Sequence, residues 1–385
     1  MTRSPRWVLP LTLNENTLLQ ILERIVEFPT YEKKGMKKCA EYLSSELGAN
    51  GFKVEDDELD NVYAEKSFDG DGEAFLINCH FDTVSSTPRW VRNPLKVSVE
   101  GKRVYGLGAS DDKGSVAAVL YVLTRLTKCR FRKLEVLFSN YEDNSTVLDG
   151  ETCLGTPYFL SHHKPESKMG INVEGTVEEG RLMVSVGCGG RVGFTVTTIG
   201  KEAHSSDPRK GRNAIYDMIT IINTLRRMPA ARMTFDGYEA YTELSVSKIQ
   251  GGVAINVVPG ECTITCERRV LPNEDWEMVK RKVEEALANV KDVEFKIVYS
   301  KPQRSYLIDK THPAVRLAIR SVERTLGYVP RLKVESGRTD STYLGEAGVK
   351  TAILGPGEIA HTADEYVNID RLEEFNRVLY DMLVG

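Results

Sequence analysis

Between Asn16 and Phe28 the apolar residues Leu18, Leu19, Ile21, Leu22, Ile25 and Val26 recur at helical spacing, and Pro29 ends the run. Glu32 to Leu47 reads as a second helix, closed by Gly48-Ala49-Asn50-Gly51. The pattern then changes. Phe75-Leu76-Ile77-Asn78-Cys79 is apolar but too short for a helix, and it stops at His80 and Asp82, as a buried strand running into a polar corner does. An apolar helix is predicted from Ser115 to Thr127. Leu134–Ser139 and Gly170–Val173 are two more strand-like runs, and they end in Glu142-Asp143 and Glu174. The helix and strand patterns interleave, which predicts an α/β sheet with polar groups gathered at strand ends.

Near residue 185 the rhythm shifts. Val192, Phe194 and Val196 alternate as a strand, and Ile215, Met218, Ile219 and Ile222 follow at helical spacing. Leu244/Val246 and Cys262/Ile264/Cys266 alternate again. A helix from Trp276 to Val290 and a strand through Val293, Phe295, Ile297 and Tyr299 complete a β-α-β-β-α-β order. That order matches a ferredoxin-like α+β unit. The α/β pattern resumes after about Ser300 with a helix from Pro313 to Leu326, the strand Thr351–Leu354 and a last helix from Leu372 to Leu383. The expected organisation is therefore a discontinuous domain, 1–184 with 301–385, interrupted by an inserted domain, 185–300. A length of 385 residues suits two domains.

A net charge of −4 gives no electrostatic reason to expect nucleic acid or an anionic membrane as partner, and no apolar run reaches a membrane span. Residues 1–14 read as a loosely tied extension, too short and Pro-interrupted around Trp7–Leu11 for a signal peptide. The seven cysteines are scattered and lack a C-x-x-C. This predicts reduced thiols, a cytoplasmic setting and no cysteine-built zinc site.

The strand-end residues His80, Asp82, Asp111, Asp112, Glu142, Asp143, Glu174 and His361 then change the picture. Asp111 and Asp112, in Gly106-Leu107-Gly108-Ala109-Ser110-Asp111-Asp112-Lys113-Gly114, could simply charge the first turn of a helix. The frame G-x-x-x-x-G-K-[ST] is missing, so a nucleotide loop is disfavoured. Taken together, two imidazoles and several carboxylates without thiolate suit zinc, cobalt or manganese. Two ions sharing a carboxylate would need five or six such ligands. A paired site polarises a carbonyl and lowers the pKa of a bridging water to about 7. One member of an adjacent acid pair can bind metal while the other serves as general base.

H-F-D-T, G-A-S-D-D-K-G, the Glu-Asp pair, A-H-S-S-D-P-R-K-G-R-N-A, N-V-V-P, and G-P-G before His361 occur in one order. From about residue 16 to the end, the chain resembles the di-metal amidohydrolase and exopeptidase family of acetylornithine deacetylase, succinyl-diaminopimelate desuccinylase, aminoacylase and glutamate carboxypeptidase. The resemblance implies a di-zinc exopeptidase-like α/β catalytic domain with an inserted ferredoxin-like dimerisation (lid) domain. It implies two Zn²⁺ per chain, Co²⁺ or Mn²⁺ being alternatives, and a homodimer acting on a small N-acyl amino acid or peptide. By the same resemblance His80 is a metal ligand oriented by Asp82, and Asp111 bridges the ions. Glu142 is the general base, and Asp143 (where relatives usually have Glu), Glu174 and His361 are ligands.

In the inserted domain, the resemblance makes His204 an oxyanion donor to the partner's site. Arg269 becomes the holder of a substrate carboxylate and Asn256 a supporting polar group. Gly337 and Arg338 match a substrate-side loop in which relatives usually carry Gly-Gly-Thr. Arg268 reads as an ordinary surface charge, and His162, His163 and His312 read as solvent-exposed residues of polar loops. The implied reaction is hydrolysis of an amide bond in an N-acyl amino acid. A carboxypeptidase or dipeptidase is the alternative within the family, and a non-catalytic binding protein is the rival outside it.

Overall fold

The structure, a computed structural model, describes residues 15–143 and 154–385. The extension over residues 1–14 and Cys153 lie outside the described residues. The chain folds as two compact units, 1–184 with 311–331 and 346–385, and 185–310 with 332–345.

The first unit is built on a mixed sheet. Its strands lie in the order Lys53–Asp56, Val62–Ser67, Phe131–Ser139, Gly72–His80, Met169–Asn172, Lys350–Ile353. The last four run parallel, in register from Phe75 beside Leu134 and Met169 to His80 beside Ser139. Parallel strands point their carboxyl ends the same way, so the residues that follow them collect along one edge. The helix Lys113–Leu123 is apolar all round and buried at every residue, as a helix inside a core must be. Each fully buried valine or leucine on it contributes roughly 1.5–3 kcal/mol by leaving water. The helices Glu15–Val26 and Ile369–Val384 pack against it, and Pro313–Leu326 packs on the last of these. The first two strands add antiparallel at the sheet edge. They are short and mixed in polarity, and for that reason the apolar pattern does not announce them.

In the second unit the strands Gly190–Ile199, Leu244–Gly251, Glu261–Val270 and Phe295–Tyr299 form one antiparallel sheet. The helices Ala214–Leu225 and Trp276–Ala288 pack on it. The spatial order, second-third-first-fourth, is that of a ferredoxin-like unit. Its core joins Val192, Phe194 and Val196 to Met218, Ile221, Ile264 and Val283. A separate hairpin, Ala231–Phe235 with Tyr238–Thr242, interrupts it. The turn is Asp236-Gly237, both at positive φ, and D-G between alternating residues is the strongest short hairpin signal a sequence carries. Residues 301–310 and 332–345 also belong to this unit, whereas the sequence pattern placed them with the catalytic part. The strands Tyr306–Leu307 and Leu332–Glu335 pair with Val184–Cys188, a long-range ladder that local periodicity does not reveal.

Among the described residues no helix is long and apolar enough to cross a membrane. All six described cysteines are buried and reduced.

Candidate metal centre

The strand Gly72–His80 delivers its last residue into the first unit with only 2% of its surface exposed. His80 Nδ1 lies 3.1 Å from the Asp82 carbonyl oxygen and 3.4 Å from the Asp82 carboxylate. Its other nitrogen, Nε2, faces Asp111 Oδ1 at 3.1 Å and Glu174 Oε1 at 3.9 Å. One nitrogen is thus held by an acid and the other is turned toward two carboxylates, as an oriented metal ligand requires. Asp82 has a second task that the H-x-D pattern does not show. Its two oxygens accept the backbone N–H groups of Glu142 and Asp143, each at 3.0 Å, and so fix the turn that carries the acid pair. Tyr141, just before that pair, is buried at φ 56°, a left-handed backbone that a bulky residue adopts only when its surroundings enforce it.

Asp111 lies between the two histidines. Its Oδ1 faces His80 and its Oδ2 is 3.5 Å from His361 Nε2, which in turn is 2.8 Å from Asp143 Oδ2. Two overlapping groups result, His80/Asp111/Glu174 and Asp111/Asp143/His361, and within each the ligand atoms lie within 4.8 Å of one another. The aspartate at 143 reaches its histidine although its arm is one methylene shorter than glutamate. Glu142 and Asp143 also lie within that distance of His80, so geometry leaves Glu142 near the ligands.

Charge is concentrated here. Burial disfavours a proton on His80, yet Glu174, Asp111 and Asp82 together hold its pKa well above the ordinary value. Burial pushes Glu174 well above the usual carboxylate range, and repulsion from Asp112, Asp111 and Glu142 adds to this against the pull of His80. The hydrogen bond to Asp143 raises His361 to about 9 against its own burial. A divalent cation relieves such repulsion, and a donor set of carboxylates and imidazoles without thiolate fits zinc, cobalt or manganese.

Two supports of the centre escape sequence reasoning. Glu365, itself 2% exposed, accepts the backbone N–H groups of Ser110 and Asp111 at 2.8 and 2.9 Å and sets the loop that carries Asp111. Ser110 Oγ accepts the N–H groups of Glu358 and Ile359, which ties that loop to the segment leading to His361. Gly355 and Gly357 permit the close approach: a Cβ on Gly355 would stand 2.4 Å from the Glu174 carbonyl oxygen, and one on Gly357 would stand 2.2 Å from that of Ser110.

The remaining candidates belong to the second unit. His204 is exposed, and its Nδ1 accepts the Ser206 backbone N–H at 3.1 Å. Asn256 lies on the neighbouring segment, its carbonyl oxygen accepting from Ser205 N at 3.0 Å. Arg269 is 38% exposed and pairs with Glu267 at 2.8 Å. Arg268 is a correction. It is buried, and its two terminal nitrogens bind the Glu274 carboxylate at 2.5 and 3.0 Å. Strand alternation sends successive side chains to opposite faces, so Arg268 must point inward where Arg269 points out. Gly337 is exposed and its carbonyl oxygen accepts from Gly189 N, while Arg338 is half-buried over the Tyr343 ring at 5.9 Å. In the first unit, His162 ends the helix Gly155–His162, His163 stacks on Phe159 at 5.0 Å, and His312 caps the helix Pro313–Leu326. His162 is exposed but helical, whereas His163 and His312 lie outside helices but are half-buried, so the loop reading is corrected for the first and the solvent-exposed reading for the other two.

The profile of peptidase family M20/M25/M40 matches residues 76–384. The chain is similar to the succinyl-diaminopimelate desuccinylase of Wolinella succinogenes, at 25% identity over 95% of this chain and 99% of that one. It is similar to the acetylornithine deacetylase of Buchnera aphidicola, at 24% identity over 95% and 97%. Its fold is like that of a dinuclear metal-binding peptidase of the M20 family from Bacillus subtilis, with a TM-score of 0.67 and 15% identity over 96% and 97%.

Proposed function

The chain belongs to peptidase family M20/M25/M40, a family of hydrolases, and on that footing we propose that it cleaves the amide bond of an N-acyl amino acid at a two-metal centre. The observation that carries this reading is Asp111, with one carboxylate oxygen toward His80 and the other toward His361. His80, Asp111 and Glu174 would hold one ion, and Asp111, Asp143 and His361 the second, zinc being the first choice and cobalt or manganese alternatives. Bound there, the ions supply Lewis acidity and bring the pKa of a water to about 7.

The chain's own residues do the rest. Asp82 keeps His80 in one orientation and holds the acid turn. Glu142, 4% exposed, takes the proton from the attacking water and returns it to the leaving amine. At His204, Nδ1 accepts a backbone N–H, so in the neutral ring Nε2 carries the proton and can donate to a developing oxyanion. We assign that donation to the site of a partner subunit in a homodimer. A homodimer is supported by the second unit's sheet: Leu244–Gly251 is an edge strand with Ile249 exposed, followed by Val253 and Ile255 at 80% and 101% exposure. Large exposed apolar groups beside an open strand edge are the usual mark of an association surface. Asn256 supports the His204 segment, and Gly337 and Arg338 would line the substrate side. The buried, reduced cysteines favour a cytoplasmic setting.

Arg269 is assigned to the substrate's free α-carboxylate, since its side chain is part-exposed and its fork can grip two oxygens. Arg269→Lys should raise KM at least about tenfold with less change in kcat, because lysine presents a point charge. Equal rates on the free-acid and amidated forms of one substrate would remove Arg269 from the site. The peptidase reading has its own support in the fold likeness to an M20 peptidase. A panel of acetyl-, succinyl- and glutamyl-amino acids set against di- and tripeptides, with zinc-loaded protein, decides between them. Preference for the acylated set is expected, and turnover of peptides alone would replace the deacylase reading.

A further inference from the structure

Three strands of the first unit lead to the metal centre, and their opposite ends open into a second concavity. Gly72 and Glu73 begin the strand that ends at His80. Arg130 and Phe131 stand at the start of the one leading to Glu142, and Met169 starts the one leading to Glu174. With one side of the helix Pro313–Leu326 they line a groove of about 500 Å³, inside the range of small-molecule sites. Strand rise alone puts Glu73 roughly 23 Å from His80, so the groove is remote from the centre.

Its charge is unusual. Arg316, Arg320 and Arg324 recur every fourth residue and so form one stripe roughly 12 Å long on the helix, and Arg130 joins them from the strand side. Arg324 is paired with Asp381 at 2.5 Å. Among the described residues, the guanidinium groups of Arg130, Arg316 and Arg320 have no ion-pair partner. Other arginines of the same unit do pair: Arg24 with Glu27, Arg92 with Glu100, Arg371 with Glu374. The one carboxylate in the groove is Glu73, which leaves three unpaired cations against one anion. The positive end of the helix, starting at Pro313, lies at the same groove and adds to the field. Phe131, Met169 and Leu317 provide an apolar lining beside the cations.

We propose that this groove binds a small molecule carrying two or more phosphate groups on an apolar or aromatic body, the chemistry of a nucleoside polyphosphate. Three unpaired forks, Arg316 and Arg320 about 6 Å apart along the helix and Arg130 facing them, ask for several linked anions, and a single carboxylate would leave most of them unpaired. The confined volume and a net charge of −4 over the chain favour a small ligand over an extended nucleic acid.

The test is calorimetric titration of the full-length, metal-loaded protein with ATP, AMP and adenosine. Excess magnesium keeps the phosphate chain from stripping the metal centre. ATP should bind, AMP should bind at least about tenfold more weakly, and adenosine should give no signal. Arg316→Glu/Arg320→Glu should weaken ATP at least about tenfold, with the alanine double variant in between, and both should keep the amide-hydrolysis kcat measured without nucleotide. Absence of ATP binding would overturn the proposal. Undiminished binding in the charge-reversed variant would also overturn it, by placing the phosphates elsewhere, such as at the metals. An RNA oligomer that binds more tightly than ATP through these arginines would replace a small-ligand site with a nucleic-acid face.

Discussion

Glu142→Gln should lower kcat by about 10²–10⁴ while the protein keeps its full metal content and its thermal unfolding midpoint. Glutamine retains the size of the side chain and its hydrogen-bonding oxygen but cannot carry a proton between water and leaving amine. The turn holding residue 142 is set from below by Asp82, which grips the backbone N–H and not the side chain, so the substitution leaves the scaffold in place. Glu142 also lies near His80 and Asp143, close enough to be a ligand itself. Metal analysis separates the two roles. A variant that loses one equivalent of metal along with activity would make Glu142 a ligand, and one with unchanged kcat would move the base elsewhere.

His204→Ala should be nearly as damaging, by about 10²–10³ in kcat, because an oxyanion donor acts only as charge develops. A mixed dimer tests its assignment to the partner's site. One chain carries His204→Ala and the other Glu142→Ala. If the imidazole is donated across the dimer, one site receives both lesions and the other none, and the mixed dimer should recover about half of wild-type activity. If it acts within its own chain, every site has one lesion and mixing restores nothing. A verified heterodimer without recovery would reject the trans assignment and leave the metal chemistry intact.

The parts of this molecule that could be read in advance share a physical cause. An apolar run that stops abruptly at His80, at Glu142-Asp143 or at Glu174 reports a buried parallel strand, and parallel strands collect their ends. The ferredoxin-like order was readable for a similar reason, since one buried face per strand and helix leaves a clear period. What periodicity missed depends on partners far away in the chain. Glu365 reaches the Asp111 backbone across 254 residues, and nothing local marks it apart from other acids near the carboxyl end. The short strand Leu332–Glu335 joins the second unit by pairing with Val184–Cys188 and by packing on the hairpin Ala231–Thr242, both distant in the chain. Two misses were avoidable. The Asp236-Gly237 turn announces its hairpin, and alternation along Glu261–Val270 already places Arg268 on the core side beside Cys266 and Ile264.

Metal stoichiometry tests most directly whether Asp111 joins two ions. Protein stripped with chelator and titrated with zinc should take up two equivalents per chain. Asp143→Ala should reduce this to one, and Asp111→Ala should weaken both. A wild-type plateau at one equivalent, left unchanged by Asp143→Ala, would contradict the paired centre.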